Sequence, residues 1–139
     1  MGTDEPWREQ RARAVAAHAA ERERRAVAEA EQARQLVAGF ARTARERGLP
    51  AEPLVARGYD GKGRYRTGLR GWYLRSDGGL AVSTEGDFYV LTVAPSLAAR
   101  VRGVALTPDT PRLVIGEGGR DGERIGLQQL LERRLTGEH

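Results

Sequence analysis

The chain has 139 residues, no cysteine and a formal net charge of +4, with 40% apolar and 30% charged residues. That length predicts one folded domain, and the composition excludes a globally disordered chain. The missing cysteine excludes disulfides, thiolate metal sites and cysteine nucleophiles together. Basic residues number 23 against 19 acids, and Lys62 is the single lysine, so the basic balance alone argues poorly for nucleic acid.

No apolar run reaches the ~18 residues that a membrane helix needs. The start MGTDEPWREQ has neither a basic nor an apolar leader segment. Pro6 also stands where a myristoylation signal has Ser or Thr. The expected location is therefore cytoplasmic, with no membrane partner.

Glycine divides the sequence: Gly2 and Gly39 precede Gly48, and the other sixteen of eighteen lie from Gly48 onward. Residues 1–47 read as a long Ala/Arg/Glu-rich helix and residues 48–139 as a small antiparallel α+β domain. Asp4 and Glu5 ahead of Pro6 suit a helix start. Gly48-Leu49-Pro50 suits a stop. At ~1.5 Å per residue, about 40 residues span about 60 Å, roughly twice the width of a small globule. The helix must overhang, break or bind something.

Ala12, Ala16, Ala19, Ala26, Ala30, Ala33, Val37, Phe40 and Ala44 follow alternating steps of three and four, with Glu23 interrupting. That is heptad spacing of the coiled-coil type. Alanine is abundant enough here to produce a stripe by chance, and an alanine seam buries little area per residue. The larger residues Val27, Leu36, Val37 and Phe40 lie late in the helix, which predicts packing on the β domain from about Val27 onward. The earlier turns, with Trp7, Val15 and His18, are then left for a partner or a second copy. The ERERR run at 21–25 alternates acids and bases as a water-facing helix does, not as a basic membrane helix does.

Beyond Gly48, Pro53–Arg57 predicts a first strand, and Asp60-Gly61 a turn into a second from Arg64 to about Arg75. Further strands are expected at Leu80–Ser83, Phe88–Val93, Val104–Leu106 and Arg112–Ile115. A short helix is expected at Leu97–Arg102, capped by Ser96. A closing helix carries Leu127, Leu130, Leu131 and Leu135 on one face. The predicted fold is α+β: a long N-terminal helix, an antiparallel meander of four to six strands, and a C-terminal helix.

Residues 57–75 concentrate six basic residues against Asp60 alone. Strand alternation places Arg64, Arg66 and Arg70 on one face and Tyr65, Thr67, Leu69 and Tyr73 on the other. With Trp72, that is a recipe for holding phosphates and stacking bases. A half-buried strand also shows a polar face for no reason beyond solvation. The Gly-rich loop Gly116–Arg124 lacks the GK[ST] and GxGxxG patterns, its acids Glu117, Asp121 and Glu123 oppose phosphate, and it lacks calcium-loop spacing. It reads as a turn. His18 and His139 have no triad or metal partner in the sequence.

These features predict no catalytic residues, no cofactor and no metal. The expected function is a non-enzymatic protein-interaction or self-assembly module, in which Trp7, Val15, Ala19 and Ala26 pack on a protein partner or a second copy. The alternative is nucleic-acid binding through Arg64, Arg66, Arg70 and Trp72.

Overall fold

The computed structural model describes residues 4–115 and 125–137. It opens with helix α1, Glu5–Glu46, 42 residues long, with Pro6 in the first turn where its missing N–H costs nothing. The helix stops where the sequence says it should. Gly48 turns left-handed (φ 69°), Leu49 N–H donates to the Ala44 carbonyl (2.9 Å), and Gly48 N–H donates to the Arg45 carbonyl (3.1 Å). These paired bonds are a Schellman motif, which satisfies carbonyls that the helix end would leave bare.

Five strands follow: β1 Glu52–Gly58, β2 Arg64–Tyr73, β3 Leu80–Ser83, β4 Phe88–Val90 and β5 Thr92–Val93. They form a mixed, mostly antiparallel sheet in the order β4-β3-β2-β1-β5. The first four strands make the expected meander. Phe88–Val93 is not the single antiparallel strand that its composition suggests: it divides at Leu91, and β5 runs parallel to β1 at the opposite edge. Leu91 N–H donates to the Gly79 carbonyl and its own carbonyl accepts from Arg57 N–H (2.9 and 2.8 Å). One residue thus touches both sides of the sheet, which must curl into a small barrel to allow it.

Cross-strand partners share a face, so the register sorts inside from outside. Ala56 pairs with Tyr65, and Ala81 with both Tyr73 and Tyr89. These side chains, with Leu54 and Leu91, form one apolar cluster. Its lid is the short helix α2, Leu97–Arg102, with Val104 and Leu106 behind it. Ser96 caps α2 as its sequence predicts, accepting from Ala99 N–H (3.2 Å). Val104–Leu106, expected as a strand, joins no ladder, though Val104 N–H donates to the Arg66 carbonyl (2.8 Å).

The other face carries Trp72, Val82 and Phe88 as successive partners. It is covered by the second half of α1 and by helix α3, Leu127–Thr136. Ala33, Val37, Phe40, Ala41 and Ala44 pack there with Leu127, Leu130 and Leu131, so this core has members on both sides of Gly48. The expected strand Arg112–Ile115 shortens to β6, Val114–Ile115, which pairs with β7, Ile125–Gly126, in a separate ladder. The Gly-rich loop at 116–124 and His139 lie outside the described residues.

Candidate functional site

Packing of α1 on the domain starts later than the sequence suggests. Val27 was expected to begin it, yet Val27 is 61% exposed. The first half-buried residues are Glu29 and Ala30, and Glu29 Oε1 accepts from Leu113 N–H (3.3 Å). Every residue from Glu5 to Ala28 is exposed. These 24 positions extend about 36 Å at 1.5 Å per residue.

The phase of this free segment matters more than its length. At about 100° per residue, the buried positions Ala33, Val37, Phe40, Ala41 and Ala44 define a face. Val15, Ala19 and Ala26 fall within about 25° of its centre. The stripe that packs the helix on its own domain therefore continues, in register, along the part with nothing on it. Ala12, Val15, Ala16 and Ala19 line a shallow groove along that face.

Trp7 and Val27 lie about 100° to either side of the centre. They flank the seam and do not sit in it. Trp7 is 60% exposed and borders the same groove, with the Arg11 guanidinium 5.0 Å from its ring centre. Arg25–Glu21 and Arg34–Glu31 pair along the helix (2.9 Å each). The hydrogen bond and charge of Arg34 hold the Glu31 carboxyl below the usual carboxylate range.

The basic strand is arranged differently from the ribbon the sequence suggests. Trp72 is in the core, 1% exposed, its ring edge-on to Phe40 (5.8 Å between centroids) and its indole N–H donating to the Leu49 carbonyl (2.9 Å). It offers no face on which a base stacks; burial of a large apolar ring outweighs any surface role. Arg66 donates to the Val101 carbonyl (2.6 Å) and Arg70 to the Ala51 carbonyl (3.0 Å), so both guanidiniums bind the chain's own backbone. A bulge around Gly68 (φ 73°) separates these two residues. Arg64 stands apart from them, directly opposite Arg57 on β1.

Among the described residues no group of three His, Cys, Asp or Glu side chains is placed to hold a metal ion, and His18 is exposed on α1. No helix is long and apolar enough to cross a membrane among those residues. Comparison of the chain with protein-family models, curated proteins and solved structures gave no match.

Proposed function

We propose that this protein is a self-assembling module whose copies pair through the free half of α1, with Val15, Ala19 and Ala26 as the seam. The observation that carries this reading is the phase continuity: the apolar face buried from Ala33 to Ala44 runs on uncovered through Ala26, Ala19 and Val15 to Ala12, interrupted at Arg22 and Glu23 and ending at Arg8. Helices in water owe most of their stability to packing such a face, so a bare one this long has a use for a partner.

The charge pattern favours a second copy as that partner. Six acids and six arginines lie between Glu5 and Glu31, so the segment is neutral and no net repulsion opposes self-pairing. An antiparallel pair is favoured, because each domain occupies the seam face of its own helix and a parallel pair would set two domains against each other. Small side chains at the seam allow close approach of the backbones, with Trp7 and Val27 closing over its margins.

The full chain at increasing concentration in light scattering should show the mass of a dimer. Val15→Glu with Ala19→Glu should return it to monomer and leave the domain's thermal transition in place. Ala17→Glu, on the opposite side of the helix, should not change the mass. A monomer at millimolar concentration, or equal loss of the dimer in both variants, overturns the proposal.

A further inference from the structure

A cleft of about 520 Å³, with no α1 residue in its lining, opens along β1 and β2. Its lining includes Arg57, Arg64, Arg75 and Arg134, with Tyr73 and the one carboxylate Glu52. This volume is in the range of small-molecule sites. The arginines come from three separate parts of the chain. Arg57 and Arg64 are cross-strand partners, Arg75 follows β2, and Arg134 rises from α3.

Three features make this more than a solvated face. Like charges directly opposite in a sheet are destabilising, yet Arg57 and Arg64 occupy such a pair. Arg134 is only 8% exposed, and its Nε–H donates to the Tyr73 carbonyl (2.7 Å), which fixes a guanidinium at the cleft wall. Counter-charge is scarce. Among the described residues Arg57, Arg64 and Arg134 form no ion pair, and Arg75 reaches Asp77 at 3.7 Å.

The rest of the lining is consistent with a bound anion. Tyr73 Oη accepts from Val55 N–H (2.8 Å), which leaves its own O–H free to donate. Gly78 stands at the rim in a left-handed backbone conformation (φ 74°), 3.9 Å from Arg57 Nη2 and Tyr73 Cε1 as measured from the position of a Cβ. Guanidinium groups match phosphate oxygens two at a time, and a dianion offsets an excess that a single carboxylate does not.

We infer that this cleft binds a small phosphorylated ligand, with Arg57, Arg64 and Arg134 holding the phosphate. It lies apart from the free half of α1, so it stands or falls independently of self-assembly. Calorimetric titration of the full chain with inorganic pyrophosphate at low ionic strength, where screening is weak, should give saturable one-to-one binding. Arg57→Gln with Arg64→Gln should weaken it about tenfold or more. Arg100→Gln with Arg112→Gln makes the same charge change away from the cleft and should have little effect.

Without ligand, the Arg57/Arg64 double variant should be at least as stable as the parent, because a repulsion has been removed. Succinate should bind at least about tenfold more weakly than pyrophosphate. The inference is overturned by unsaturable binding, by equal losses in the two double variants, by succinate matching pyrophosphate, or by unfolding of the Arg57/Arg64 variant. It is also overturned if a ten-nucleotide single strand binds more tightly and keeps its affinity in that variant.

Discussion

Single residues show how tightly the barrel is drawn. Gly71 is the clearest case, since a Cβ added there would sit 2.1 Å from the Val82 carbonyl oxygen and 2.7 Å from Ser83 Cα. Both obstacles are backbone, so neither can rotate away. Gly71→Ala should cost at least about 2 kcal/mol in chemical denaturation, the range of overpacked cores, while Gly39→Ala on α1, with only the tip of Arg42 nearby, should not destabilise. Tyr89 supplies a second test. Burial, then the carboxylates of Asp87 and Glu85, push its phenol above the ordinary tyrosine value of about 10. A group with a raised folded-state pKa contributes stability that is present below its unfolded value and lost as pH climbs toward the folded one. Stability should therefore fall above about pH 10, and Tyr89→Phe should flatten that decline.

Among the elements, α1 divides where burial begins and not where its glycine stop lies. Residues up to Ala28 are exposed, while Ala33, Val37, Phe40 and Ala44 are structural members of the domain's core. Removing residues 1–28 should leave the thermal transition of the domain nearly intact. Removing residues 1–47 deletes Phe40 from against Trp72 and strips cover from Val82 and Leu127, so that fragment should not fold cooperatively by circular dichroism. A cooperative transition in the shorter fragment would show that the barrel needs no helix. The element boundaries legible in the sequence were those with local chemistry: the Gly48 stop, the Ser96 cap, the leucine face of α3. What composition could not supply was the position along α1 at which packing starts, because alanine is equally at home in core and in water. Val27 misled for the opposite reason: it is large and apolar, but lies off the seam.

For the whole molecule, the class and the four-strand meander were readable because alternation and turn residues are local signals. The curl of the sheet was not. Nothing in Phe88–Val93 announces that its two halves serve opposite edges, since that depends on how a distant strand, β1, comes round to meet it. The same gap misplaced Trp72, whose surface role rested on its place among the arginines of the basic stretch. Once the sheet closes and helices cover part of its outer face, Trp72 lies under α1, while Arg57 and Arg64, farther along the same face, remain uncovered. Arg134 was out of reach of any such reading, because it meets the strand arginines only through the packing of α3.

The latch at Leu91 has one more consequence, for what happens when copies are crowded. Open sheets recruit neighbouring chains through unpaired edge backbone, the usual start of fibrillar aggregation. Here Leu91 commits its N–H to Gly79 and its carbonyl to Arg57, and the Phe88 carbonyl accepts from Asp109 N–H (2.8 Å). Strand addition therefore has less to grip on the five-stranded sheet. Any pairing of copies then falls to side-chain surfaces, which saturate at a defined number of copies where a growing edge does not.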